Sequence, residues 1–392
     1  MIKSSLTKTL LILVFSFFCF AEPSLEPLIN TQFEESRELT SREIIETALE
    51  YSLCTPESQL WTECMEKYNH LEKEVSQEYG ALSQIEAAEA VLGFLYKKIL
   101  SQYVEKTTCL DVTLTTGKYN CVTASLLYLA LSRSLGIDCR GQECTIHAFC
   151  TVYIDGQKID VETTNPYGFN PGSRKTVMQT EDTRRYTYVT KKYYAGRREV
   201  SEKAFATLTG KNLAADLNDE EAYDTAIPLD LSRLVFLEYD SDQPSARKDA
   251  DTLITNYTTI LCRRHETLNA VDYLNRYIDK YGPSIMIRKT FDNCLYNACV
   301  DYLNAGQEQE ADAYFVQNKE NASSQMQTRI ARMIEKSIMG RHEMEVHNSI
   351  VPLFNNGRLE EARKLLTEAL EYNPNSQMLK KDLNLVNRAL QQ

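Results

Sequence analysis

The segment CVTASLLYLALSRSL, residues Cys121–Leu135, constrains the fold of this chain more than any other feature. It is apolar over most of a helical circumference, and Gly136 follows it as a natural helix stop. A helix that is apolar on nearly every side is stable only when buried, because no face prefers water. The sequence therefore predicts that this helix lies at the centre of a domain.

The period of the apolar residues changes after this helix. The segment His147–Ile154 (HAFCTVYI) is typical of a strand. Asp155 and Gly156 then favour a hairpin turn, and Lys158–Thr164 (KIDVETT) predicts the returning strand. Thr107–Thr116 is rich in β-branched residues and predicts extended backbone. The fold class that follows is α+β, with a central helix packed on an antiparallel sheet.

Cys121 begins the buried helix, a position that suits a nucleophile. Backbone N–H groups at a helix start, together with the positive end of the helix dipole, favour a thiolate over a thiol. His147 begins the next strand, so its imidazole can lie across the helix start. The returning strand brings Asp160 or Glu162 beside the imidazole, where a carboxylate would hold one ring nitrogen and leave the other for the thiol proton. Cysteine, histidine and acid in this order are what a papain-like cysteine site requires.

Two stretches within Gly117–Gly172 resemble the core of bacterial transglutaminase-like proteins, namely GKYNCVTASLLYLALSRSLGID and HAFCTVYIDGQKIDVETTNPYG. The shared features are a cysteine that begins a Leu-rich helix, a strand that opens His-Ala-aromatic, and a returning strand with a valine-acid-x-Thr pattern. The resemblance implies a papain-like fold in which Cys121 is the nucleophile, His147 the base and Glu162 the orienting acid. The family usually has Asp at this last position, and Asp160 is the alternative acid.

The resemblance also implies an activity, hydrolysis or acyl transfer at an amide bond of a peptide or protein. Hydrolysis is favoured because the family includes many proteases and amidases. Tyr119 and Asn120, which precede Cys121, are candidates to line the substrate cleft. The Glu at position 162 keeps open a second hypothesis, an inactive transglutaminase-like scaffold whose C-terminal helices bind a protein partner.

A zinc site is a competing interpretation of the same region. Four potential ligands fall within twelve residues, Cys139, Cys144, His147 and Cys150. Strand alternation places His147 and Cys150 on opposite faces, and the spacings miss the two-residue interval common between zinc cysteines. We therefore expect neither a metal nor a cofactor.

The N-terminus predicts a secretory signal peptide over residues 1–21. Lys3 and Lys8 flank a polar start, and an apolar run over Leu10–Phe20 ends at Ala21. This run is shorter than the roughly 20 apolar residues of a membrane span, and no later segment is apolar enough to be one. We expect a periplasmic or secreted protein; a lipoprotein or a retained N-terminal anchor is the less favoured alternative.

Export bears on the 11 cysteines, because thiols tend to pair in an oxidising compartment. The candidates for bridges are Cys54 with Cys64, and a pair drawn from Cys262, Cys294 and Cys299. The connectivity cannot be read from sequence. Removal of Cys19 with the signal peptide leaves 10 cysteines. If Cys121 stays reduced, nine remain, so at least one further cysteine is unpaired, and Cys150 is the best candidate.

Helical patterns flank the predicted α+β core. They extend from Leu39 to about Tyr103 and again from about Arg197 to the end of the chain. Val351–Leu383 resembles a tetratricopeptide repeat, with a short helix, an Asn-Gly turn, a second helix and a proline. The segments that echo it are Asn304–Ala311 and, more weakly, Ala204–Leu231. Stacked repeats of this kind form concave binding surfaces.

Length and charge complete the expected organisation. The chain has 392 residues, of which 43% are hydrophobic and 25% charged, which suits two or three globular domains. We predict a transglutaminase-like domain with N-terminal helices over 22–196 and a helical, tetratricopeptide-like domain over 197–392. A formal net charge of -12 argues against a nucleic-acid surface, which needs a basic face.

Overall fold

The computed structural model describes residues 22–33, 37–171 and 191–391. The predicted signal peptide lies outside these ranges. The structure is mostly helical with a small antiparallel sheet, so the fold class is α+β, as predicted. The chain forms two compact units that divide between Ala250 and Asp251. Within the described ranges, none of the helices is both long and apolar enough to cross a membrane.

Unit 1 is built from helices that pack on one another and on a small sheet. The helices are α1 (Ser41–Glu50), α2 (Gln59–Tyr79), α3 (Gln84–Lys98), α4 (Leu110–Thr116), α5 (Cys121–Ser134), α6 (Glu202–Ala206), α7 (Leu208–Asp219) and α8 (Tyr223–Phe236). A capping box fixes the start of α1, because the Thr40 hydroxyl accepts from the Glu43 N–H while the Glu43 carboxylate accepts from the Thr40 N–H. Two short strands, β1 (Gln102–Tyr103) and β2 (Lys118–Tyr119), pair in parallel just before α5.

The antiparallel sheet of unit 1 has the spatial order β5-β4-β3-β6. Its strands are β3 (Asp138–Glu143), β4 (Ala148–Ile154), β5 (Gln157–Val161) and β6 (Arg198–Glu199). The predicted hairpin is β4 and β5, and its turn residues Asp155 and Gly156 have φ of 49° and 74°, the left-handed values that such a turn requires. The strand β3, which the sequence patterns do not predict, lies between β4 and β6.

The helix α5 is the centre of unit 1, as the sequence predicts. Its residues from Val122 to Ser132 are all buried. It packs on α1 and α3 and on the strands β3 and β4, so no face of it is left for solvent. Its apolar circumference is therefore explained by helices on one side and a sheet on the other.

The expected extended backbone over Thr107–Thr116 is wrong, because most of this segment forms α4. Leu110, Thr113 and Leu114 are spaced three and four residues apart, and they are buried where α4 packs on α2. Burial of this face outweighs the modest strand preference of its β-branched residues. Gly117 ends α4 at φ 75°, where an added Cβ would lie 2.5 Å from the Ile99 carbonyl oxygen.

Unit 2 is all helical in the part of the chain that the structure describes. The helices after α8 are α9 (Gln243–Arg263), α10 (Thr267–Tyr281), α11 (Ile285–Asn304), α12 (Glu308–Asn318), α13 (Ser324–Asn355), α14 (Leu359–Tyr372) and α15 (Gln377–Leu390). From α10 onward each helix packs on the next one, and α11 and α15 also pack on α13, an arrangement like that of helical repeats. Gly306 and Gly357, in the two predicted glycine turns, have φ of 75° and 74° between successive helices.

Candidate active site

Cys121 is the first residue of α5 and lines a cavity at the surface of unit 1. The preceding residue, Asn120, caps the helix: its Oδ1 accepts from the N–H groups of Val122 at 2.9 Å and Thr123 at 3.0 Å. The Thr123 hydroxyl in turn accepts from the Asn120 N–H at 3.1 Å. The cap fixes the backbone on both sides of Cys121, so its thiol has a defined position at the helix start.

His147 lies next to Cys121, although 26 positions separate them in the chain. It immediately precedes β4, and its carbonyl accepts from the Cys144 N–H at 2.7 Å, which closes the loop between β3 and β4. The imidazole is buried, and its Nε2 is 2.8 Å from Oε2 of Glu162. Cys121 and His147 line the same cavity, and the Cys121 side chain is among the groups that raise the pKa of His147. Because Nε2 is engaged by Glu162, Nδ1 is the ring nitrogen left to face the thiol.

The Glu162 carboxylate is held by hydrogen bonds on both of its oxygens. Oε1 accepts from the Thr164 N–H at 3.1 Å and from the Thr164 hydroxyl at 2.7 Å. Oε2, which binds His147, also accepts from the Tyr194 hydroxyl at 2.8 Å. The Glu162 backbone is fixed as well, since its N–H donates to the Gly168 carbonyl at 2.9 Å. A Cβ at Gly168 would collide with the Glu162 carbonyl oxygen, so this close approach requires glycine.

The electrostatics of the site favour a charged histidine. Burial alone lowers the pKa of His147, but the hydrogen bonds with Cys121 and Glu162 and the charges of both groups outweigh it and raise the pKa from 6.5 to about 10. Burial opposes ionisation of Glu162, yet the hydrogen bond and charge of His147, with hydrogen bonds from Thr164 and Tyr194, lower its pKa. At neutral pH the arrangement therefore favours a Glu162 carboxylate beside a His147 imidazolium.

Asp160, the alternative acid, faces other partners. Its carboxylate forms an ion pair with the Arg197 guanidinium, with both N–O distances at 2.7 Å. It also accepts from the Thr151 hydroxyl on the neighbouring strand at 2.9 Å. Glu162, just beyond the end of β5, is thus the acid that the fold brings to His147. The glutamate side chain, one methylene longer than that of aspartate, reaches His147 Nε2 from this position.

Of the two residues expected to line the cleft, the structure places one there. Asn120 lines the cavity beside Cys121, and its side chain caps α5. Tyr119 is fully buried instead, with its hydroxyl 2.9 Å from that of Tyr96 and its ring edge-on to Tyr103. Tyr119 packs against Tyr103, which lines the cavity, but Tyr119 is not itself among the lining residues.

The cavity itself has a volume of about 480 Å³. Besides Asn120, Cys121 and His147, its lining includes Tyr103, Glu105, Lys106, Thr108, Ile146, Tyr193, Asn212, Ala215 and Asp216. The last three come from α7, about ninety residues after Cys121 in the chain. Ile146 is an exposed hydrophobic residue next to His147. Sequence reasoning missed this wall, because no local pattern connects α7 to the helix start.

The four residues of the zinc hypothesis do not form a cluster. Cys139 and Cys150 are buried in the sheet, where the Cys150 thiol donates to the Ser125 carbonyl at 3.4 Å. His147 has its Nε2 on Glu162. Among the described residues, no group of three or more His, Cys, Asp or Glu side chains is arranged to hold a metal ion.

Comparisons with known proteins add little to this geometry. No protein-family model matches the chain, and no curated protein matches it. Among solved structures, a crystal structure of menin that reveals its binding site for the Mixed Lineage Leukemia (MLL) protein is similar at a TM-score of 0.33 and 14% sequence identity. That similarity covers 72% of this chain and 74% of menin, and at this level it carries no argument about fold or function.

Proposed function

We propose that unit 1 is a transglutaminase-like cysteine hydrolase or acyltransferase that acts on an amide of a peptide or protein. The single observation that carries the proposal is that His147, whose Nε2 binds the Glu162 carboxylate, lines the same cavity as Cys121 at the start of α5. Hydrogen-bonded cysteine, histidine and acid in this order constitute an activated nucleophile. We further propose that the chain is exported, on the basis of the signal-peptide pattern over 1–21.

The proposed reaction has two halves, formation and breakdown of a thioester, and Cys121 and His147 act in both. The Cys121 thiolate attacks the carbonyl carbon, a C–S bond forms, and the carbonyl oxygen becomes an oxyanion near the N–H groups at the start of α5. The tetrahedral intermediate breaks its C–N bond while the His147 imidazolium gives its proton to the leaving amine. Water or a second amine then attacks the thioester, His147 takes a proton from it, and the C–S bond breaks to restore the thiolate.

The position of Glu162 supports activity even though the resembled family usually has Asp there. A carboxylate that orients a histidine must reach the ring nitrogen that does not face the nucleophile. Glu162 reaches Nε2 at 2.8 Å and is fixed by further hydrogen bonds from Thr164 and Tyr194. Glu162 lies just beyond the end of β5, and the turn that follows it brings the Thr164 N–H and hydroxyl to its carboxylate.

Alkylation with iodoacetamide, a small thiol-reactive amide, tests the proposal. The test uses a Cys262→Ser background, because Cys262 is also partly exposed and its neighbour Cys294 lowers its pKa. In that background we expect one cysteine to react much faster than the others at neutral pH, and Cys121→Ala to abolish that fast phase. Cys109→Ala is the matched control, because Cys109 is also partly exposed and precedes a helix in the same unit. Unchanged fast labelling in Cys121→Ala would remove the proposal. Amine release from casein and incorporation of a fluorescent primary amine then separate hydrolysis from transfer.

A second candidate function, peptide binding by unit 2, is favoured by a groove between α11 and α13. The groove has a volume of about 1000 Å³. Its charged lining residues are Arg329, Arg332 and Lys336, all cationic and all exposed. Their spacing of three and four residues places them on one face of α13. The Arg329 guanidinium lies 4.3 Å from the centre of the Tyr296 ring, so an aromatic surface adjoins the charges.

A cationic groove in a chain of net charge -12 selects an acidic partner, and we propose an extended acidic peptide segment. Fluorescence anisotropy with a labelled Glu-rich peptide measures the binding. The double variant Arg329→Glu and Lys336→Glu should weaken it at least tenfold, whereas Lys364→Glu, an exposed lysine on α14, should not. Equal weakening by both variants would mean that net charge alone attracts the peptide. Competition by single-stranded DNA at equal affinity would contradict a peptide site.

A further inference from the structure

Unit 2 contains two thiols in direct contact that neither the proposed reaction nor the cationic groove uses. All ten cysteines of the described residues are free thiols. Cys262 lies near the end of α9 and Cys294 lies in α11, and their Sγ atoms are 3.4 Å apart. Cys294 is buried, whereas Cys262 is partly exposed. The two residues are separated by 32 positions in the chain, with α10 between them.

We propose that Cys262 and Cys294 close to a disulfide that joins α9 to α11 when the protein meets a disulfide oxidant. A disulfide has a sulfur–sulfur distance of about 2.05 Å, so the two atoms must approach by about 1.4 Å. Side-chain rotation of the partly exposed Cys262 supplies a movement of this size without a change of backbone. The geometry thus selects one bridge from the three cysteines that the sequence left open.

Cys299 is the alternative partner, and its position on α11 excludes it. Five residues separate Cys294 from Cys299, which is about 140° around a helix. The surroundings of Cys299 also differ from those of Cys294. Burial and the charge of Asp312 on α12 raise the pKa of Cys299 to about 12. Cys294 faces α9, and Cys299 faces α12. The same helix therefore presents its two thiols on different faces, and only Cys294 is in contact with Cys262.

The two thiols differ in a way that assigns the order of events. The hydrogen bond with Cys294 lowers the pKa of Cys262, and burial opposes this less strongly. The same hydrogen bond, together with burial, raises the pKa of Cys294. Cys262, which is also the more exposed of the two, is the thiol that an external oxidant reaches as a thiolate.

The reaction balances as two successive thiol–disulfide exchanges with oxidised glutathione. The Cys262 thiolate attacks one sulfur of the oxidant, forms a mixed disulfide and releases one glutathione thiolate. Cys294 loses its proton and attacks the Cys262 sulfur, which forms the protein disulfide and releases the second glutathione. Two protein thiols are oxidised, and one glutathione disulfide is reduced to two thiols.

Another thiol pair in the protein provides an internal contrast. Cys139 and Cys150 lie on the paired strands β3 and β4, and both are buried in the core of unit 1. Without access for an oxidant these two thiols stay reduced while the protein is folded. Oxidation of Cys262 with Cys294 but not of Cys139 with Cys150 is thus the expected pattern.

Peptide mapping of the full chain tests the inference. Reduced protein is equilibrated with mixtures of oxidised and reduced glutathione, the remaining thiols are alkylated, and tryptic peptides are analysed without reduction. We expect a cross-linked pair lighter by two hydrogens, formed from the peptide 249–263, which contains Cys262, and the peptide 290–319. This second peptide contains both Cys294 and Cys299, so variants must distinguish them.

In Cys299→Ala the cross-link should persist, and in Cys262→Ser it should disappear. Alanine is used at position 299, and position 262 is changed in preference to position 294, because a serine at a buried position carries a greater risk of misfolding. The inference is overturned if Cys262 and Cys294 both remain fully alkylated at the most oxidising ratio. It is equally overturned if the cross-link is lost in Cys299→Ala, since the bridge would then use Cys299.

Discussion

The cavity around Cys121 and the cationic groove of unit 2 place charged side chains in opposite ways. In the cavity, His147 and Glu162 are 6% and 5% exposed, and they neutralise each other through a hydrogen bond. In the groove, Arg329 and Lys336 are exposed, and Arg332, the other charged residue of the lining, has the same sign. Buried, compensated charges hold a fixed geometry, whereas exposed charges of one sign attract a ligand from solution. The contrast favours chemistry in unit 1 and binding in unit 2.

The largest effect on which this comparison can be tested is the loss of activity expected when His147 is replaced. In His147→Gln the proton carrier and the partner of the thiolate are both absent, so amide turnover should fall by about 10³-fold or more. Steady-state kinetics of amine release measure the loss, and iodoacetamide labelling of Cys121 should slow in parallel.

His70→Gln is the control for this change, because His70 is an exposed histidine on α2 in the same unit. It should retain full turnover. Equal turnover in wild-type protein and His147→Gln would show that the buried pair is structural. The cavity would then lose its distinction from an ordinary surface pocket.

A smaller effect is expected from Glu162→Gln, about 10²-fold in turnover, because the amide keeps the shape but not the charge. The Glu162 charge helps to raise the pKa of His147 to about 10, so its removal lowers that pKa. The imidazolium is then lost at a lower pH, and the alkaline limb of the rate–pH profile should move to lower pH. A profile whose alkaline limb stays in place would show that Glu162 does not control the His147 proton.

The triad could be predicted from sequence because each member carries a local signal. Cys121 begins an apolar helix, His147 opens a strand-like run, and Glu162 follows on the returning strand. The orienting hydroxyl of Tyr194 and the α7 wall carry no such signal, because both are brought to the site only by the folding of distant segments. The helix α4 was missed for a related reason: tertiary packing on α2 outweighs the local preference.

Tyr194→Phe sharpens the comparison at a position that sequence did not indicate. The change removes one donor to Glu162 Oε2, which is a hydrogen bond to a charged group, so turnover should fall by about tenfold. Tyr153→Phe is the matched control, since the Tyr153 hydroxyl also donates to a carboxylate but on Glu199, away from the cavity. A shift of the rate–pH profile in the first variant alone would mark Tyr194 as a positioning residue.

The smallest effect is expected in the groove. Arg332→Ala removes one exposed charge, which is worth no more than about 1 kcal/mol, so affinity for a Glu-rich peptide should fall only about threefold. Titrations at low and high salt measure the change, and the difference between the variants should shrink as salt rises. A loss of a hundredfold would mean that Arg332 is desolvated in the complex, as the residues of the cavity are.

The α7 wall of the cavity limits how far the chain can be truncated from its C-terminal side. A fragment trimmed to 22–196, the stretch that carries the sequence signals of the proposed site, would retain Cys121, His147, Glu162 and Tyr194 yet leave its cleft open on the side of Asn212 and Asp216. Such a minimal piece would expose to water the pair that the whole unit shelters. The shortest fragment that keeps the whole cavity therefore ends after α7, beyond Tyr194.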